Sequence, residues 1–194
     1  MRVLIVVIVL IFSLQSLSKA DDIKNLEIEG ITIGDSLLDF MSKKEIDVAL
    51  ENPNYYKDNE YVVIFTNIEL DKYDELQVTF KPNDKKFIIH SIMLVKKFDN
   101  QIEKCKKEKE KIITETLQII SNAERENASF KHGADKTGNS ISHRTSFFFK
   151  SGGYLNIMCN DYGKEVFESD GWVDSLTLSI GSDEFKNFLL DDPY

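Results

Sequence analysis

The chain has 194 residues and a formal net charge of −9; 42% of its residues are hydrophobic and 29% are charged. With 9 glycines and 3 prolines it is neither low-complexity nor collagen-like, and its length predicts one globular domain. An acidic balance of this size disfavours nucleic acid and a membrane-surface role, since phosphate binding needs clustered Lys and Arg.

Taken from the start, residues 1–20 read as a secretory signal peptide. Arg2 supplies the positive leader, Val3 to Phe12 is an unbroken apolar run, and Ser18-Lys19-Ala20 places small residues at −3 and −1 of a cleavage site. Cleavage is expected between Ala20 and Asp21. The apolar stretch is shorter than the roughly 20 residues of a spanning helix, so no stable membrane insertion of the mature chain is expected. Residues 21–194 are expected to form a single α+β domain, exported to the periplasm or beyond the cell. Loss of Arg2 and Lys19 leaves 22 basic residues against 33 acidic ones, a charge of −11.

In the mature chain, Leu26–Ile33 alternates weakly and suits a strand or a packed extended lead-in. Asp35 is an expected N-cap for a short helical turn over Ser36–Met41. Ser42 and Glu45 have capping-box spacing, which predicts a helix to about Leu50, ended by Asn52-Pro53-Asn54. Three strands are predicted next: Tyr61–Ile68, Glu75–Lys81 and Phe87–Phe98, the last two joined by a turn at Pro82–Lys86. The longest helix should follow, with Asp99 as its cap. Its apolar stripe runs through Ile102, Cys105, Ile112, Ile113, Thr116, Leu117 and Ile120, and the lysine-rich first half is read as a solvated face. Residues 122–139 read as a polar loop. Strands are predicted at Ser140–Lys150, Tyr154–Asn160 and Trp172–Ile180, with a Ser151-Gly152-Gly153 turn between the first two. Ser182 should cap a last helix over Asp183–Leu190. The order of helix, three strands, helix, three strands, helix predicts antiparallel sheet with helices packed on one face, in two helix-plus-three-strand units. The triplet Phe147-Phe148-Phe149 fits a strand covered on both sides.

Two cysteines, Cys105 and Cys159, make an even pair; in an exported protein one disulfide is the simplest reading, and two buried free thiols the alternative. Three strings invite chemistry. Gly34-Asp35-Ser36-Leu37 matches the signature of the GDSL serine esterases, with Ser36 as the nucleophile. Such a serine needs a histidine base and oxyanion donors. Met158-Cys159-Asn160-Asp161 offers only part of the supporting segment of that family, no D-x-x-H occurs, and the last histidine is His143. Gly133–Ser140 has the two glycines of a phosphate-binding loop but Asn139 where the lysine belongs, and a strand rather than a helix after it. His132, Asp135 and His143 can be imagined as metal ligands, and Asp71, Asp74 and Glu75 as a weak calcium loop, without any ligand spacing of known specificity. His90 reads as a sheet residue. Asn127-Ala128-Ser129 is a glycosylation sequon.

Ile31–Phe40 (ITIGDSLLDF) and Lys131–Ser140 (KHGADKTGNS), with Cys105 before the second segment and Cys159 after it, resemble a group of short exported bacterial proteins without an assigned activity. The resemblance implies export and a shared fold, and no chemistry. The expectation is therefore an exported protein with no catalytic residues, no metal and no cofactor, acting by binding or envelope interaction on an unknown protein or small-molecule partner. A serine esterase using Ser36 is the alternative.

Overall fold

The computed structural model describes residues 22–191; the expected signal peptide and its cleavage point at Ala20 and Asp21 lie outside the described residues. Eight strands form one sheet in the order β1-β2-β3-β4-β8-β7-β6-β5, and every pairing is antiparallel. Four α-helices among the described residues accompany it, giving the α+β class expected. The first meander comprises β1 (Asn54–Tyr55), β2 (Val62–Phe65), β3 (Glu75–Phe80) and β4 (Ser91–Lys97). The second comprises β5 (Ala123–Lys131), β6 (Ile141–Phe149), β7 (Tyr154–Asp161) and β8 (Ser175–Gly181). They join where β4 pairs with β8, Ser91 opposite Gly181 and Lys97 opposite Ser175.

Strand alternation separates the two faces. Val78, Ile92, Ile180, Leu155 and Phe147 form one cross-sheet row, and Leu76, Leu94, Leu178 and Ile157 the next. All are buried in one continuous core. Against this face lies α2 (Ile102–Ile119), which touches β7 and β8. Cys105 in its first turn is bonded to Cys159 of β7, with Cα atoms 5.9 Å apart, so the expected disulfide ties helix to sheet. The lead-in also feeds this core: Ile23, Leu26, Ile31, Ile33 and Leu37 are buried in it, as is Ile46 of α1 (Lys43–Ala49). Residues 26–33 form no strand: Ile28 and Ile31 make one isolated bridge around a turn at Glu29-Gly30, where φ is +51° and +80°.

The other face is different. Tyr154 and Phe148 alternate away from the core and join Tyr61 in a second cluster, onto which α4 (Asp183–Leu190) packs Phe185 and Phe188. Tyr61 and Phe185 meet edge-on with centroids 4.9 Å apart. The helices thus do not all share one face. The phenylalanine triplet behaves as expected: Phe147 and Phe149 enter the core and Phe148 the second cluster. A Cβ on Gly181 would run into the Tyr154 ring across the pair, so only glycine fits that row.

Several expectations need correction. Residues 123–131 are a strand, not a loop; β5 pairs with β6 along its full length. A short helix, α3 (Lys164–Asp170), precedes β8 and was not expected. The capping box of Ser42 and Glu45 is present, and Ser182 caps α4. Asp99 does not cap α2: its φ is +45°, and the N-cap Gln101 makes no side-chain bond. Leu117, placed on the apolar stripe, is 51% exposed, whereas Lys109 sits on the buried stripe.

Candidate functional site

The Gly34–Leu37 string folds as a turn laid along residues 86–89. Gly34 takes φ +99°, a conformation open to glycine. Its N–H donates to the Ile89 carbonyl, and the Leu37 N–H donates to the Phe87 carbonyl, both at 3.0 Å. The Asp35 carboxylate accepts from the Thr32 N–H at 2.8 Å, so the residue expected to cap the following turn closes the preceding one instead. Ser36 is the cap of the 3-10 turn Leu37–Asp39: its Oγ accepts the Leu38 N–H at 3.2 Å and donates to the Lys86 carbonyl at 2.6 Å. Leu37 is fully buried. His90 faces other residues, with Nδ1 3.4 Å from Ser182 Oγ and 3.5 Å from Glu184 Oε2. Burial pushes its pKa down, with Glu184 opposing.

Residues 132–140 form the β5–β6 connection, closed by the His132 N–H donating to the Ser140 carbonyl at 2.9 Å. Asp135 organises it. Its carboxylate accepts from Ser140 N at 2.7 Å, Thr137 N at 2.8 Å, Thr137 Oγ1 at 2.7 Å and Asn139 N at 3.1 Å. The bonds from Ser140 and Thr137 hold its pKa far below the usual carboxylate range. The N–H groups of Thr137, Asn139 and Ser140 are therefore taken by the loop's own aspartate, and a strand, β6, follows in place of the helix that a phosphate-binding loop needs.

The imagined metal set does not assemble. His143 is opposite Cys159 in the β6–β7 register and shares the α2 face, with Nδ1 2.9 Å from Ser129 Oγ. His132 is paired to Ser140, three positions from His143, so alternation sends it to the opposite face. There its ring packs edge-on against Tyr162 and Trp172, with centroids 5.0 and 5.7 Å away, and Nε2 lies 3.4 Å from the Tyr162 hydroxyl. Sequence reasoning missed this aromatic group because α3 separates Tyr162 from Trp172. Among the described residues no group of three or more His, Cys, Asp or Glu is placed to hold a metal ion. Of the acidic loop, Asp74 accepts the Lys97 N–H and Glu75 pairs with the Lys97 ammonium.

A site that no motif announced lies beside α2. The core rows stay apolar through β8 and β7, then turn polar: the row of Leu178 and Ile157 continues into Thr145 and Asn127, and that of Leu176 and Cys159 into His143 and Ser129. α2 lies over β7 and β8, and between it and β5–β6 a cleft of about 410 Å³ is lined by Lys106, Lys109, Arg125, Asn127, Ser129 and His143 among others. The Thr145 hydroxyl donates to Asn127 Oδ1 at 2.8 Å, which leaves the Asn127 amide NH₂ as a donor. Burial pushes the His143 pKa down, and Lys106 and Lys109 act in the same direction. The available signal was spacing: Lys109 is four residues after Cys105 and four before Ile113, one position per turn. No protein-family model, curated protein or solved structure matches the chain.

Proposed function

We propose that this chain is an exported, non-catalytic binding protein. The observation that carries the choice against catalysis is the engagement of Ser36. Its hydroxyl hydrogen goes to the Lys86 carbonyl and its oxygen caps Leu38. A nucleophile needs that proton directed to a base and the oxygen free to attack. Export is supported by the leader pattern of residues 1–20 and by the Cys105–Cys159 disulfide, a bond that belongs to oxidising compartments. No helix among the described residues is long and apolar enough to cross a membrane. The partner, a protein or a small molecule, is read from the cleft beside α2, which places polar side chains around a concave surface of ligand size.

Incubation of the exported protein with a fluorophosphonate probe tests the first part. No labelling is expected; stoichiometric labelling at Ser36 would establish the esterase reading in its place. Intact-mass measurement of the same sample should give a chain beginning at Asp21, and retention of Met1 would contradict cleavage.

A further inference from the structure

α2 turns Cys105, Lys109, Ile113 and Thr116 toward the sheet. Lys109 thus holds a position built for an aliphatic side chain. Lysine is almost never buried unless paired. Lys109 is 8% exposed, yet among the described residues it makes no ion pair and no hydrogen bond. Arg125, exposed across the cleft on β5, is likewise without an ion pair among the described residues. Lys106 adds a third cation, held 2.9 Å from the solvent-exposed Glu103. The lining offers one carboxylate, Glu110, against these three and Arg144, which alternates away from His143 and Thr145 on β6 and holds its guanidinium over the Phe130 ring. In a chain with 33 acids and 24 bases the local sign is therefore reversed. Burial pushes the Lys109 pKa down; Glu110 opposes this and Arg125 adds to it.

We propose that this cleft binds a phosphoryl dianion, as free phosphate or as the phosphate monoester of a larger molecule, with Lys109 and Arg125 as its counter-charges. The inference rests on the binding reading above and names its ligand. Two cations without an ion pair, one buried on α2 and one exposed on β5, match a dianion, whereas a single carboxylate would neutralise only one of them. The Asn127 amide supplies a neutral donor at the same wall. The arrangement holds a ligand and carries out no reaction on it.

The test is thermal unfolding of the mature chain with inorganic phosphate, glycerol 3-phosphate, phosphatidic-acid vesicles, and acetate at matched ionic strength. Phosphate and its soluble monoester should raise the Tm with the logarithm of their concentration above Kd, by roughly 5–10 °C at about a hundredfold excess, and acetate should not. A response to the vesicles alone would assign the phosphoryl group to a lipid headgroup. Lys109→Met, which keeps the volume and removes the charge, should abolish the response and melt higher than wild type without ligand. Arg125→Gln on the exposed edge strand should weaken binding about tenfold while leaving the unliganded Tm unchanged. An equal response to acetate, no response to any phosphoryl compound, or unchanged responses in both variants would overturn the inference. None of those results would touch the non-catalytic reading, which the labelling of Ser36 decides separately.

Discussion

The two meanders meet at β4–β8 but are closed against the core by different means. In the first, α1 has seven residues, its start is fixed by the reciprocal Ser42–Glu45 box, and an irregular lead-in of turns supplies Ile23, Ile31, Ile33 and Leu37 to the core. In the second, α2 has 18 residues, no side-chain cap and a lysine on its buried stripe, and a disulfide holds its first turn. The lesson is that a helix with a poor local start and an imperfect apolar face can be kept in place covalently. The difference also sets where a ligand can go. The lead-in covers its half of the face with apolar side chains, whereas α2 stops short of β5–β6 and leaves a polar trough.

The largest expected effect breaks the second closure. The disulfide spans a sequence separation of 54, so replacing both cysteines with alanine should cost about 4 kcal/mol in the chain-entropy account. Urea unfolding should show a lower midpoint, and hydrogen exchange should rise first in α2. A loss below about 1 kcal/mol would mean that packing alone holds the helix. The matching change in the first meander is Leu37→Ala. Leu37 is fully buried inside the GDSL-like string, and its truncation should cost about 3 kcal/mol. A stable variant would show that the string is not a packing element.

Much of this was legible in the sequence. Period-2 alternation gave β3, and the capping signals of Ser42 and Ser182 gave the starts of α1 and α4, because these depend on residues close in the chain. β5 was not legible. Ala123–Lys131 contains no β-branched residue, and charges at Glu124, Arg125, Glu126 and Lys131 read as loop. Those charges suit an edge strand, where they discourage pairing with another chain. Asp99 looked like a cap, but its left-handed backbone points the chain elsewhere. The cleft was missed together with Lys109: its spacing from Cys105 and Ile113 puts it on the apolar stripe, but the lysine-rich run around it reads as a solvated face.

The third effect concerns the β5–β6 connection of the second meander. Asp135 has a pKa held low in the folded protein by its bonds to Ser140 and Thr137. A carboxyl of this kind contributes stability that is fully present above its unfolded pKa near 4 and is lost as pH falls toward the folded value. Stability should therefore decline from about pH 5 downward, more steeply in wild type than in Asp135→Asn. The same acid limb in both proteins would show that the loop does not depend on the charge.

The smallest effect sharpens the contrast between the two helix starts. Ser42 Oγ accepts the Glu45 N–H at 3.3 Å, and the Glu45 carboxylate accepts the Ser42 N–H at 2.7 Å. Hydrogen bonding of the Glu45 carboxylate by the Ser42 side chain and backbone keeps its pKa low. Ser42→Ala should cost about 1 kcal/mol, seen as a fall of roughly 2–4 °C in Tm. Gln101→Ala at the start of α2 should cost nothing measurable, because Gln101 makes no side-chain cap bond. In the double-cysteine variant the comparison changes: with the covalent tie gone, α2 must hold its own first turn, and an introduced cap at 101 should then stabilise the protein where it does little in the oxidised chain. Equal responses to that cap with and without the disulfide would mean that the tie and the helix start are independent, and the covalent account of α2 would fail.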